Sequence, residues 1–253
     1  MINVKTAKEI DIMAEGGKIL ANILQDLARA VKPGITTQSL DKLAQELLFK
    51  FGARSSFLNY RGYPSVLCTS INDEIVHGVP SDRKLEKGDL LKLDMGVLYH
   101  GFHTDSATTI LVGGGLSFNK NNLLKKKLIR ITREALEEGI KKAKAGNTIG
   151  DIGSAVQNYV EKNGFNVVRE LVGHGIGREL HESPHVPNYG KPGEGEILKP
   201  GMVIAIEPMV TIGEWKIKEG ADGFVFKTKD NSLASHFEHT LVITENGSMV
   251  LTR

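Results

Sequence analysis

Along the first thirty positions apolar residues recur at helical spacing, with Ile19, Leu20, Ile23, Leu24 and Leu27 sharing one face. Thr6 followed by Glu9 has the form of a capping box, so a helix opens there and runs to about residue 30. Lys32-Pro33-Gly34 then stops it. A second helix is predicted over roughly 37–50. The period then changes to short apolar runs, which predict strands near 66–71, 90–97 and 104–112, the last two joined by a turn near 99–101. Helices near 120–143 and 148–163 follow, then strands near 167–172, 202–212, 223–228 and 236–252. Such an order argues for a mixed α/β (α+β) fold. Gly113-Gly114-Gly115 separates the two sets as a linker, because it lacks the spacing of a phosphate-binding glycine fingerprint.

The order of elements repeats, and so do residues. Residues 32–53 align with 144–165: Lys32, Gly34, Thr36, Gln45, Lys50 and Gly52 match Lys144, Gly146, Thr148, Gln157, Lys162 and Gly164 at an offset of 112. Leu40, Leu47 and Leu48 fall on Ile152, Tyr159 and Val160. Gly88 to Asp94 aligns with Gly201 to Glu207 at an offset of 113, and His103-Thr104-Asp105 with His236-Phe237-Glu238 at 133. The larger last offset implies an insertion around 215–231 in the second half. We therefore expect one domain over 1–253, built from pseudo-twofold related halves of approximately 1–115 and 116–253. At 253 residues the chain is long enough to bury a large core.

Candidate chemistry lies in the strand-like runs. Asp94 ends Leu90-Leu91-Lys92-Leu93-Asp94, Glu207 ends Val203-Ile204-Ala205-Ile206-Glu207, and Glu238 precedes His239-Thr240-Leu241-Val242-Ile243. An ionisable group in such a run is costly unless something compensates it. The repeat sets Asp94 opposite Glu207 and Asp105 opposite Glu238. Four converging carboxylates repel one another, and divalent cations between them remove the conflict. With His174, which breaks the symmetry, these residues read as a cage for two ions in different environments.

Composition narrows the partners. A hydrophobic share of 40%, a charged share of 25% and a net charge of +2 are ordinary for a globular protein and do not point to DNA. Lys125-Lys126-Lys127 with Arg130 reads as a solvated helix face. Cys68 is the sole cysteine, which excludes an intrachain disulfide and suits a reducing cytoplasm. Neither a signal-peptide core nor an apolar stretch near ~18 residues is present, so no membrane association is expected.

Several runs carry a resemblance to a known family. Gly173-His174-Gly175-Ile176-Gly177, Ile206-Glu207-Pro208-Met209-Val210, Glu238-His239-Thr240, Val76-His77-Gly78-Val79-Pro80 and Gly101-Phe102-His103-Thr104-Asp105 resemble the motifs of methionine aminopeptidases, in that family's order. Glu207 follows His174 by only 33 positions, which resembles the type I, bacterial-like enzymes, since type II forms insert a helical subdomain there. The zinc-binding extension of eukaryotic type I forms is also missing. The resemblance implies the pita-bread fold, two related α/β halves and an antiparallel sheet around a dinuclear metal site.

It also implies roles. Asp105 and Glu238 would bridge two ions, Asp94 would complete one site, and His174 with Glu207 the other. The metals would be Co, Mn, Fe or Zn, which this donor set does not separate. A metalloprotease of this kind hydrolyses the initiator methionine from nascent proteins with a small second residue, by attack of a water bridging ions about 3.5–4 Å apart. Glu207 would take the proton, His181 would stabilise the oxyanion, and His77 would contact substrate near the scissile nitrogen. Tyr60, Tyr63, Cys68 and Phe224, with Phe57 nearby, would line the methionine pocket. Leu180 stands where the family commonly has an aromatic residue and Phe224 where it has tryptophan. His100, His103, His185, His236 and His239 are given structural roles. A cytoplasmic monomer is expected, with the ribosome as a further candidate partner. The rivals are a prolidase or aminopeptidase P relative, a binding protein that kept the fold, and a structural metal protein.

Overall fold

A computed structural model describes residues 2–114 and 120–253. Among the described residues the α-helices are α1 (Ala7–Ala30), α2 (Thr37–Lys50), α3 (Lys120–Lys142) and α4 (Ile149–Lys162). The first half contains strands β1 (Arg54–Ser55), β2 (Cys68–Ile71), β3 (Glu74–Val76), β4 (Leu90–Tyr99) and β5 (Phe102–Leu111). The second contains β6 (Asn166–Val167), β7 (Gly173–Gly175), β8 (Glu182–Val186), β9 (Val203–Ile206) and β10 (Met209–Thr211). It closes with β11 (Ile217–Glu219), β12 (Phe226–Thr228), β13 (Ala234–His236), β14 (Glu238–Thr244) and β15 (Gly247–Val250).

The helix boundaries follow from local chemistry. Thr6 and Glu9 form the expected capping box on α1, and Thr148 with Asp151 forms another on α4. Thr36 caps α2 by accepting from the Ser39 N–H.

One nine-stranded antiparallel sheet runs β1-β4-β5-β14-β9-β7-β8, with β2 on β4 and β15 on β14. On β4 the side chains alternate. Leu91, Leu93, Met95 and Val97 pack with Leu20, Ile23, Leu24 and Leu27 of α1 and Leu40 of α2. Lys92, Asp94 and Gly96 therefore point to the opposite side. In the second half, Ile204 and Ile206 of β9 pack with Leu136 of α3 and Ile152 of α4. Both halves thus use a helix pair to cover one face of the shared sheet.

The repeat recurs in the hydrogen bonds. Gly34 N–H donates to the Leu85 carbonyl at 2.8 Å and Gly146 N–H to the Leu198 carbonyl at 3.0 Å. Leu85 N–H returns to Ile35 at 2.9 Å, and Leu198 N–H to Asn147 at 2.8 Å. Gly34 and Gly146 hold φ of 89° and 86°, which an L side chain resists. The boundary near 115/116 and the third glycine of the linker lie outside the described residues.

Several strand expectations change. The run 202–212 is two strands broken at Glu207-Pro208: β9 belongs to the large sheet and β10 to a small one, β13-β10-β6. Proline brings no N–H to a ladder, so the break falls there. The expected strand at 167–172 is only β6, with β7 beginning at Gly173, and 236–252 divides into the end of β13, β14 and β15. The insertion is a hairpin, β11-β12, paired onto β3. Short β1, β3, β8 and β11 had no sequence signal. Among the described residues no helix is long and apolar enough to cross a membrane.

Candidate active site

Asp94, Asp105, Glu238, Glu207 and His174 come from five consecutive positions in the sheet: β4, β5, β14, the end of β9, and β7. Asp94 pairs with Ala107 on one side, and Glu238 pairs with Ala107 on the other. The three lie in one row across the sheet, on one face, and Asp105 is two residues along β5 on that face. Alanine in the middle leaves room between the two carboxylates. Thr240 fixes Asp105, accepting from its N–H at 2.9 Å and donating to its carbonyl at 2.8 Å. Ser106 donates to the Glu238 carbonyl at 2.7 Å.

His174 sits in a strand that admits only glycine beside it. A β-carbon on Gly173 would lie 2.4 Å from the Ala205 carbonyl oxygen, and one on Gly175 would lie 2.3 Å from that of Ser183. Its Nδ1–H donates to the Gly175 carbonyl at 2.8 Å, which leaves the Nε2 lone pair facing Glu207 Oε1 at 3.7 Å. Asn188 is buried and donates to the Glu207 carbonyl at 3.0 Å, holding the chain where it leaves β9.

Ligand atoms of Asp105, His174 and Glu238 lie within 4.8 Å of one another, and Asp94 and Glu207 line the same cavity. Asp94 Oδ1 and Glu238 Oε1 are buried without a hydrogen-bond partner. Burial pushes the Asp105 carboxyl up to about 7, against the Ser106 N–H that favours the anion. Asp94, Glu207 and Glu238 are also raised, each first by burial and then by neighbouring carboxylates of the cluster. Without cations the set would hold protons. With divalent cations the orphaned oxygens and the free His174 nitrogen gain partners, so the residues fit a metal centre of oxygen and imidazole donors.

The cavity, about 300 Å³, continues from the cluster into an apolar wall of Phe57, Tyr63, Cys68, Leu180 and Phe224. Tyr63 and Phe224 meet edge to face at 5.6 Å. Phe224 and Phe226 come from the hairpin insertion, and Phe226 packs against His77 at 5.8 Å between ring centroids. His77 holds φ of 60°, rare for a residue with a β-carbon and met most often at functional sites. Solvent reaches the His77 ring through the cleft, yet the surrounding protein desolvates it and pushes it down to about 4. His181 also keeps an edge exposed at the mouth. Desolvation, then His174 and Arg61, push it down to about 3. Its Nδ1 is 2.7 Å from the Tyr60 hydroxyl, and its ring lies against His174 at 4.2 Å.

The remaining histidines divide. His100 and His185 are exposed, His103 Nδ1 bonds the Ser56 hydroxyl at 2.8 Å, and His239 Nδ1 bonds that of Thr252 at 2.9 Å. His236 differs from its expected structural role: it is buried with both ring nitrogens unpartnered, and Nε2 is 3.7 Å from Glu207 Oε2. Burial first, then His77 and Lys92, push it down to about 3. Arg61, Asn188 and Phe226 carried no signal in the sequence. Lys92 did, as a cation inside an apolar strand. Its ammonium donates to the carbonyls of Asn72, Ala234 and Leu90 at 2.9, 3.3 and 3.4 Å.

A model of metallopeptidase family M24 matches residues 11–245. The chain belongs to that family. It is 47% identical over 252 residues to a methionine aminopeptidase of Clostridium perfringens, covering 100% of this chain and 99% of the relative. It is 45% identical to methionine aminopeptidase 1 of Bacillus subtilis, covering both chains in full. The solved methionine aminopeptidase of Thermotoga maritima superposes with a TM-score of 0.95 at 43% identity over 100% of both chains. A prolidase from Pyrococcus horikoshii gives 0.78 at 27% identity, matching 99% of this chain but 63% of the prolidase. The M24 fold expected from the motifs, an antiparallel pita-bread sheet flanked by helix pairs, is the fold present.

Proposed function

We infer that this M24 chain is a metalloaminopeptidase that removes the N-terminal methionine of nascent polypeptides. The observation that carries the reading is the row Asp94-Ala107-Glu238 with Asp105 and His174, opening directly into an apolar pocket. Asp105 and Glu238 would be ligands shared by two divalent cations (Co, Mn, Fe or Zn), Asp94 would complete one site, and His174 with Glu207 the other. Cations so held supply Lewis acidity, acidifying water and polarising the scissile carbonyl.

The chain's own groups do the rest. Glu207 accepts the proton from the attacking water. With the Tyr60 hydroxyl, 2.7 Å away, donating to His181 Nδ1, the imidazole proton would sit on Nε2 and be offered to the developing oxyanion. His77 contacts the substrate near the scissile nitrogen. Phe57, Tyr63, Cys68, Leu180 and Phe224 enclose the methionine side chain, for which a polarizable apolar pocket is suited. Residues 1–253 act as one catalytic unit of two halves, approximately 1–115 and 116–253. The matching hydrogen bonds at Gly34 and Gly146 support that division. The enzyme works in the cytoplasm, in keeping with a single buried cysteine, as a monomer that meets its substrate near the ribosome.

The test is metal-stripped protein assayed on Met-Ala-Ser and on Ala-Pro as each cation is restored. Release of methionine from the first is expected. Turnover of only the second would overturn the reading in favour of a prolidase-like enzyme.

A further inference from the structure

His236 ends β13 with its ring buried and unpaired. Its ring is 1% exposed and neither nitrogen has a hydrogen-bond partner. Buried polar groups are nearly always paired, so an orphaned pair of ring nitrogens needs a reason. The ring is aimed at the cluster: Nε2 lies 3.7 Å from Glu207 Oε2, while His174 Nε2 lies 3.7 Å from the other oxygen, Oε1. That spacing is too long for a hydrogen bond and too short to admit a bridging water.

The two partners differ in freedom. His236 is the fixed one. Its N–H donates to Thr109 Oγ1 at 2.9 Å, its carbonyl accepts from the same hydroxyl at 2.7 Å, and it pairs with Met209 across the small sheet. Glu207 stands past the end of β9, at the break before Pro208, and keeps some solvent access. A shift of the carboxylate by under an ångström would bring Oε2 to the waiting imidazole.

We propose that His236 is a positioning residue, donating from Nε2–H to Glu207 Oε2 so that Oε1 is turned toward His174 and the cations. This deepens the metal-centre reading and rests on Glu207 being an anionic ligand there. Carboxylates that ligate metals are commonly held by such a second hydrogen bond, and losing it typically costs ~10–100-fold in metal affinity. A carboxylate that must also accept a proton gains a defined split between its oxygens.

The experiment compares wild type, His236→Leu and His236→Gln by calorimetric titration with Mn2+ and by Met-Ala-Ser kinetics. Leucine keeps bulk without a donor, whereas glutamine keeps a neutral N–H. His236→Leu should lose about tenfold or more in Mn2+ affinity and lower kcat with little change in KM, and His236→Gln should recover most of both. Equal impairment in the two variants, or unchanged affinity in His236→Leu, overturns the proposal. Wild-type protein that binds no Mn2+ overturns the metal reading, and this inference with it. A second measurement needs no variant: 15N NMR of the His236 ring should show a hydrogen-bonded Nε2–H appearing on addition of Zn2+. A spectrum that stays the same also overturns it.

Discussion

Asp105→Asn should stabilise the metal-free protein, and by an amount that grows with pH. Burial lifts the Asp105 carboxyl from 3.8 to about 7. The unfolded chain titrates at the ordinary value. Below about pH 4 both states hold the proton and there is no penalty. Between about 4 and 7 the unfolded chain has released it while the folded chain retains it, so stability falls as pH rises. Above about 7 the loss is complete. Roughly three pK units at about 1.36 kcal/mol each give ~4 kcal/mol for this one group. For a chain of this length that corresponds to about 8–16 °C in Tm.

Other groups move too, which decides how the measurement is made. His77, His174 and His236 are all held below their usual range, so their contribution runs the other way over about pH 4 to 6.5. Comparing wild type with Asp105→Asn at each pH cancels these terms. Calorimetry from pH 4 to 8 in EDTA should show the variant's advantage widening by about 4 kcal/mol. Saturating Mn2+ should reverse the order, because cations bind the deprotonated cluster that the variant has weakened. A difference that stays flat with pH in EDTA would refute the claim that Asp105 shares one desolvated site with other carboxyls.

Three further outcomes follow from particular contacts. His181→Ala should lower kcat on Met-Ala-Ser by ~10²–10³-fold, the scale of one oxyanion donor, with cation stoichiometry by metal analysis unchanged; parallel loss of metal would contradict the role. Lys5 and Glu182 form a buried pair at 2.5 Å, with side chains 5% and 6% exposed. Lys5→Met leaves that carboxylate only the Arg178 and Glu179 N–H donors at 2.8 and 3.3 Å and should cost about 1–3 kcal/mol in urea unfolding, whereas a loss under about 1 kcal/mol would show the pair to be dispensable. Gly17→Ala places a β-carbon 2.2 Å from the Leu251 carbonyl oxygen, so α1 must lift from the C-terminal segment. Overpacking of this kind costs about 1–3 kcal/mol, and an unchanged Tm would mean that the segment yields.

Legibility in the sequence varied with how local each cause was. Thr6, Thr36 and Thr148 announced helix starts because a cap is made within three residues. Asp94, Asp105, Glu207 and Glu238 were legible because acidic groups in or beside apolar strands are costly without compensation and because the repeat paired them, whereas His174, outside the repeat, stood on its glycine-flanked motif. Strand breaks were less legible. Pro208 lies inside one apolar run, and nothing nearby states that β9 and β10 join different sheets. Of the hairpin 217–228 only the second strand, near 223–228, was legible, since pairing with β3 is a contact across most of the chain.

By itself the sequence determined the elements with local causes, the duplication, the acidic set and the family motifs, because each depends on neighbours or on matching positions. Tertiary structure alone decided that β5 and β14 lie side by side, placing Ala107 between Asp94 and Glu238. It alone left His236 unpartnered beside Glu207, and gathered three carbonyls around Lys92. These arrangements depend on strand order and register, which are set by packing both faces of the whole sheet at once and leave no mark on any short stretch of chain.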